Sequence, residues 1–292
     1  MENDQRDFPV LSSEHRVLHC RGKVLSLEFP LVAGILNLTP DSFSDGGKHN
    51  SMDSALRHVE NMLLEGADLI DVGGYSSRPG ADNVSVEEEI RRIDKILDRI
   101  IREFPDPVIS VDTFRSEVAT ATLDLGVHMI NDISAGLHDG RMMNAVANAS
   151  AAYVLMHMKG TPKTMQIHPE YSDVTEEILS FLQERIKAAD DAGIGEVIID
   201  PGFGFGKNER HNYEIFRNLH RFNSLDKAMM IGISGKSMIS KRFGSSPAAI
   251  ERIGAALHYQ AMKAGARILR VHDVAATRHL VDLFRIADYG TV

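Results

Sequence analysis

The chain has one cysteine, Cys20, and no tryptophan. A lone thiol excludes an intramolecular disulfide framework and fits a reducing cytoplasm. Long apolar runs are also missing, and no stretch approaches the roughly 20 residues that a membrane-spanning helix needs. Met1 to Glu14 is polar and acidic and lacks the apolar segment of a secretory signal. Nor is there an excess of positive charge. With 32 Lys and Arg against 41 Asp and Glu, the formal charge is −9. No general field therefore draws in nucleic acid or an anionic membrane, and an anionic substrate needs a local cluster of cations. The 13 methionines read as core filling.

What is present is a soluble, globular composition, 43% hydrophobic and 25% charged, in 292 residues. That length accommodates one large α/β barrel or two ordinary domains. Residues 1–14 are expected to be a disordered polar leader. Arg16 to Phe29 holds two short apolar segments around Arg21-Gly22, the pattern of a β-hairpin. A strand from Leu31 to Leu36 then breaks at Asn37 into the polar loop Leu38-Thr39-Pro40-Asp41-Ser42-Phe43-Ser44-Asp45-Gly46-Gly47. Apolar residues at helical spacing follow from Met52 to Leu63, closed by Gly66.

That grammar repeats. Further strands are expected at Leu69–Gly73, Val108–Val111, Val127–Ile130, Ala152–Met156, Glu196–Ile199, Ala228–Gly232 and Ile268–Leu269. A helix is expected after each, including Ser85 to Ile101 with a capping-box start at Ser85 and Glu88, Tyr213 to Phe222, and Ser246 to Ala264. Eight such units without a linker imply the α/β class and a single (β/α)8 TIM barrel spanning residues 15–292, with an N-terminal β-hairpin extension. An open doubly wound sheet is the alternative, but the Gly-rich dinucleotide fingerprint is absent.

In such a barrel the chemistry sits at the C-terminal ends of the strands. Those ends carry Asn37, Asp71, Asp112, Asn131, Asp132, Asp200, Ser234, Lys236, Arg270 and His272. Any one Asp or Asn there reads equally well as a helix cap. Six across different strands read as a convergent polar pocket. Lys236-Ser237 follows a strand and a Gly, where backbone N–H groups and the ammonium can hold an anion. A P-loop is excluded, because Met230 stands where its first Gly is required. Arg270 and His272 alternate about Val271 and leave the strand on one side, and Arg78 comes from the second loop. No His-Cys cluster or close carboxylate set suggests a transition metal, but a hard ion such as Mg²⁺ could be held by Asn37 with substrate phosphates and waters. Cys20 is not placed as a nucleophile, and no G-x-S-x-G elbow supports a serine triad. Phe203 and Phe205 either pack beneath their loop or form an aromatic wall for a flat ring, completed by Met156 and Met158.

The ordered set Asn37-Leu38-Thr39-Pro40-Asp41-Ser42, Asp71-Val72-Gly73-Gly74 with Ser77-Arg78-Pro79-Gly80, Asn131-Asp132-Ile133-Ser134, Met156-His157-Met158, Asp200-Pro201-Gly202-Phe203-Gly204-Phe205-Gly206-Lys207 and Arg270-Val271-His272-Asp273-Val274 resembles the dihydropteroate synthase family of pterin-binding enzymes. The likeness runs from about residue 31 to 274. It implies a transferase of folate biosynthesis that joins a 7,8-dihydropterin-6-ylmethyl diphosphate to 4-aminobenzoate with loss of diphosphate. It implies pterin contacts from Asp112, Asn131, Asp200 and Lys236, with Met156 and Phe205 lining the pocket. Asn37 (with Mg²⁺), Arg78, Arg270 and His272 would take the diphosphate. Ser77, Arg78, Pro79 and Ser237 would border the aminobenzoate site, where sulfonamides compete. Asp112, Lys236 and Asn37 would be the residues closest to the chemistry, in a cytoplasmic homodimer with no nucleic-acid or membrane partner.

The chain departs from that family at four points. Gly235 stands where an Arg is usual, so one cation is missing near the anionic substrates and the loop gains freedom. Tyr75 replaces Glu or Gln, Ser77 replaces Thr, and Ser240 replaces Gly. Two other readings share the barrel. A pterin-dependent methyltransferase would have no use for Arg78, Arg270 and His272, and a catalytically silent homologue would rest on Gly235.

Overall fold

A computed structural model describes residues 11–12, 16–38, 48–75, 84–162, 164–165, 167–234 and 237–290, with backbone alone at 48–51 and 237. Strands β1 (Val17–Cys20) and β2 (Lys23–Ser26) form the expected antiparallel hairpin, pairing Val17 with Ser26 and Cys20 with Lys23. Its two-residue turn takes left-handed backbone at Arg21 (φ 47°) and Gly22 (φ 85°), the twist that hairpin strands favour.

Eight parallel strands follow: β3 (Leu31–Asn37), β4 (Leu69–Gly73), β5 (Val108–Asp112), β6 (Met129–Asp132), β7 (Ala152–Met156), β8 (Val197–Asp200), β9 (Ala228–Ile231) and β10 (Ala266–Val271). They close into a barrel in which β10 pairs with β3. The outer ring comprises α1 (Lys48–Leu64), α2 (Val86–Glu103), α3 (Ser116–Asp124), α4 (Met142–Asn148), α5 (Val174–Asp191), α6 (Glu209–Arg217), α7 (Ser237–Phe243), α8 (Pro247–Lys263) and α9 (Val274–Phe284). Among the described residues no helix is long and apolar enough to cross a membrane.

Period-two alternation divides the barrel interior into layers. The lower layers are apolar, and Leu18, Cys20 and Leu27 of the hairpin region pack there against Leu31, Val108 and Met129. The hairpin thus plugs the bottom of the barrel. Arg21 fixes it by donating Nη1 to the carbonyls of Leu123 and Val127, each at 2.7 Å. Burial pushes the Cys20 thiol up to about 12, with Glu196 adding to the effect, so this cysteine is inert packing. Of the expected leader only Leu11 and Ser12 are described. Leu11 joins the lower core, and the Ser12 N–H donates to Asp226 Oδ1 at 3.0 Å.

Three helix readings need correction. Helix α6 begins at Glu209 and ends at Arg217, and a 3₁₀ segment (Leu219–Leu225) follows. Asn208 caps it by accepting from the His211 N–H at 2.9 Å, but the polar first turn Glu-Arg-His-Asn hides the start from an apolar-periodicity reading. Helix α7 escaped notice because it is one short stretch cut off by Gly244-Ser245-Ser246-Pro247. At α2 the Ser85 Oγ accepts from the Glu88 N–H as expected, but the Glu88 carboxylate binds Arg91 and Arg92 instead of closing the capping box.

On α8, His258 is buried and its Nε2 has no hydrogen-bond partner among the described residues. Burial holds this imidazole down to about 4, from an ordinary 6.5. The unfolded chain therefore takes up a proton first as pH falls, and folding stability is lost between about pH 6.5 and pH 4. By about pH 5 this group alone costs about 2 kcal/mol. In urea unfolding, His258→Gln is expected to shrink the stability difference between pH 7 and pH 5 by about that amount. An unchanged difference would contradict the assignment.

Candidate active site

The barrel mouth is built by register. Asn37 pairs with Gly73, Gly73 with Asp112, and Asp112 with Asn131, so four adjacent strands bring these residues to one row at or next to their C-terminal ends. One layer lower, Asp71 pairs with Ile35 and Ser110. Across the ring Met156 pairs with Asp200, and Arg270 rises from β10. A polar layer therefore sits on an apolar plug.

Arg270 ties this layer together. Its Nε donates to Asp71 Oδ2 at 2.6 Å and its Nη2 to Asp112 Oδ2 at 2.8 Å. Asn131 Nδ2 donates to the same Asp71 oxygen at 3.1 Å. Strand β4 is adjacent to neither β6 nor β10, so these bonds span the barrel lumen. Burial disfavours the guanidinium charge, but the Asp71 and Asp112 carboxylates outweigh it and hold the Arg270 pKa above its ordinary value. Asp71 is fully buried, and its Oδ1 has no partner among the described residues. The sequence placed Asp71 at a strand end without giving it a role.

Asp200 is nearly buried and accepts from the Gly202 N–H at 2.7 Å, which fixes its carboxylate at the start of the Gly-rich loop. That loop lies directly on the loop after β7. At Gly202 (φ 71°) an added Cβ would stand 2.0 Å from the His157 carbonyl oxygen, and at Gly206 (φ 65°) 2.3 Å from that of Lys159. Both positions require glycine sterically and conformationally. Lys207, only 2% exposed, clamps the two loops. Its Nζ meets the carbonyls of Gly202 (2.8 Å), Phe205 (2.9 Å) and His157 (3.2 Å) and the His157 Nδ1 (2.9 Å). Burial, then the Lys207 charge, holds His157 down to about 2, so the ring is neutral and accepts. Neither residue was given a role from sequence, although both stand in the quoted motifs.

The two phenylalanines of this loop divide the work. Phe203 enters the main core and meets Phe216 at 6.2 Å, while Phe205 joins Met156, Phe114, Ile133 and Met165 in a separate apolar cluster by the mouth. Met158 and Tyr75 pack against that cluster. Tyr75 has a definite place: its ring meets Phe114 edge-on at 5.3 Å, beneath the Arg115 guanidinium at 5.4 Å. Arg115 is held in turn by Glu89 at 2.6 Å. Phe114 and Met165 carry no sequence signal that separates them from ordinary core residues, and Ile133 stands in the Asn131–Ser134 motif without a role of its own.

His272 is exposed just past β10, with its Nδ1 3.3 Å from Ser234 Oγ. Ser77, Arg78, Pro79, Gly235 and Lys236 lie outside the described residues, and Ser237 is described by its backbone alone. Among the described residues no group of three or more His, Cys, Asp or Glu side chains could hold a metal ion. Asn37 nevertheless suits one. Its amide is half-buried at the rim, and a Cβ on Gly73 would stand 3.6 Å from its Oδ1. A neutral oxygen donor there fits a hard divalent ion that keeps its waters and borrows phosphate oxygens.

A family model described as "Pterin binding enzyme" matches residues 33–272. The chain is 43% identical over 275 residues to the dihydropteroate synthase of Escherichia coli K12, covering 93% of this chain and 95% of that relative. Among solved structures it is similar to Xanthomonas albilineans dihydropteroate synthase with 4-aminobenzoic acid, at a TM-score of 0.87 and 42% identity over 94% of this chain and 98% of that one. It is equally similar to the Yersinia pestis dihydropteroate synthase in complex with a sulfonamide drug, at a TM-score of 0.87 and 40% identity over 94% and 100%.

Removing the Lys207 ammonium leaves several buried acceptors unpaired, a cost of about 3 kcal/mol. Lys207→Met is expected to lower the urea-unfolding free energy by that amount and to weaken pterin binding measured by calorimetry. Unchanged stability and affinity would show that the clamp holds nothing.

Proposed function

The chain belongs to the pterin-binding enzyme family and to its dihydropteroate synthases, and from that premise we propose how its residues join a 7,8-dihydropterin-6-ylmethyl diphosphate to 4-aminobenzoate. The observation that carries the reading is the convergence of Asp71, Asp112, Asn131, Asp200 and Arg270 at one barrel mouth. The enzyme is a transferase of folate biosynthesis and binds small-molecule substrates, and sulfonamides compete for its arylamine site.

Asp112, Asn131, Asp200 and Lys236 bind the pterin by its polar edge, and Met156 and Phe205 face its ring. The C–O bond to diphosphate breaks, the arylamine nitrogen bonds to the pterinylmethyl carbon, and that nitrogen gives up a proton. Arg270, His272 and Arg78 balance the charge gathering on the leaving diphosphate. Asp112 and Asp200 balance the positive charge on the pterin side. An arylamine is itself nucleophilic, so no strong general base is required. Ser77, Arg78, Pro79 and Ser237 border the arylamine. Asn37 would hold Mg²⁺, which when bound supplies further neutralisation of the diphosphate.

The same proposal takes residues 15–292 as one pterin-binding barrel domain, onto which Leu11 and Ser12 of the 1–14 segment dock. It also takes the enzyme to be a homodimer of the cytoplasm, where a lone thiol such as Cys20 fits the reducing conditions.

Diphosphate release from the pterin diphosphate, with Mg²⁺ and with or without 4-aminobenzoate, tests the reading. Release that depends on aminobenzoate is expected, and Gly235→Arg is expected to lower the KM for aminobenzoate by supplying the missing cation. No release from either protein would leave a pterin-binding protein without synthase activity.

A further inference from the structure

Asp71 is buried beneath the mouth, and one of its oxygens does two things. Its Oδ2 accepts from Arg270 Nε at 2.6 Å and from Asn131 Nδ2 at 3.1 Å. A single atom therefore couples the arginine assigned to the diphosphate with the asparagine assigned to the pterin. The second oxygen, Oδ1, has no partner among the described residues, and the Ser110 hydroxyl beside it in the register row has none either. A buried carboxylate with an unpaired oxygen is a poor device for stability. Residues that break a local rule in this way concentrate where function needs them.

We propose that Asp71 is a positioning residue for the transfer reaction: it anchors Arg270 from below, so that the guanidinium stands fixed between Asp71 and Asp112 when the diphosphate leaves. This rests on the synthase reading. Arginine is a long, flexible side chain whose planar fork is held here at two separate corners, Nε by Asp71 and Nη2 by Asp112. A fork fixed at both corners needs no reorientation as charge develops on the leaving group, and that preorganisation is what accelerates the chemical step. With Asp112 alone, the fork pivots about one bond. Asp112 would then be drawn after the guanidinium and away from the pterin, and Asn131 would lose its acceptor. The loss belongs in kcat and in diphosphate affinity. It does not belong in the arylamine site.

Asp71→Asn keeps the size and removes the charge. Relative to the unaltered enzyme, kcat for aminobenzoate-dependent diphosphate release is expected to fall about tenfold or more, with the KM for 4-aminobenzoate unchanged. Calorimetric affinity for inorganic diphosphate is expected to weaken about tenfold, and the melting temperature is expected to fall without the protein unfolding at the assay temperature, because the amide leaves part of the buried Arg270 charge uncompensated. Ser110→Ala, a neighbouring change that touches no proposed contact, is expected to leave kcat and diphosphate affinity as they were. Unchanged kcat and diphosphate affinity in Asp71→Asn would overturn the proposal. So would losses that follow a collapse in melting temperature, which would make Asp71 a folding residue. Where the amide does not fold, Asp71→Ser is measured in the same way, and failure of both to fold also overturns it. If the unaltered enzyme releases no diphosphate, the synthase reading fails, and the comparison of inorganic diphosphate affinity still decides what Asp71 does for Arg270.

Discussion

Everything at the mouth of this barrel depends on keeping one guanidinium charged inside a nearly closed layer of polar groups. Arg270 reaches Asp71 and Asp112 from a strand adjacent to neither of theirs, so the bonds brace the lumen like spokes. A cation taken out of water needs anions at hydrogen-bond distance, and here the Asp71 and Asp112 carboxylates supply them. The same arrangement sets up the chemistry. In the proposed reaction a diphosphate arriving at the mouth would meet a cation already held by two carboxylates, and Asp112 would stand beside the pterin where positive charge gathers.

The second constraint is steric. The loop after β8 can lie on the loop after β7 only because Gly202 and Gly206 have no side chains, and Lys207 then ties the two together through buried carbonyls. This places Asp200 and Phe205 in fixed relation to Met156 without spending a substrate-facing group. The apolar wall extends through Phe114 to Tyr75. The aromatic ring at position 75 is thus accommodated by an edge-on contact with Phe114 and by the Arg115 guanidinium over its face, which Glu89 holds. Those contacts give the departure at position 75 a definite place in the fold.

Much of this was legible in the sequence. Eight repeats of an apolar run, six of them ending in Asp, Asn or Gly, point to the barrel, because parallel strands buried on both faces read as continuous hydrophobic segments. The strand-end rule then points to Asn37, Asp112, Asn131, Asp200 and Arg270. What escaped was of two kinds. Helix α6 opens on polar residues and α7 is a single short stretch before a Gly-Ser-Ser-Pro break, so neither produces an apolar period. Partnerships across the lumen, such as Arg270 with Asp71 or Lys207 with His157, depend on which side chains the closed ring brings face to face. No spacing along the chain encodes that. Phe203 and Phe205 illustrate the limit: they are two positions apart, and only the loop's path sends one to the core and the other to the mouth.

The central claim is that Arg270 is a pre-held cation waiting for diphosphate. Spectra of the 15N-arginine-labelled enzyme observe that guanidinium directly. The account predicts an Arg270 Nε–H signal protected from solvent exchange in the free enzyme and shifted by inorganic diphosphate in the presence of Mg²⁺. A signal that exchanges as fast as those of surface arginines and ignores diphosphate would contradict it.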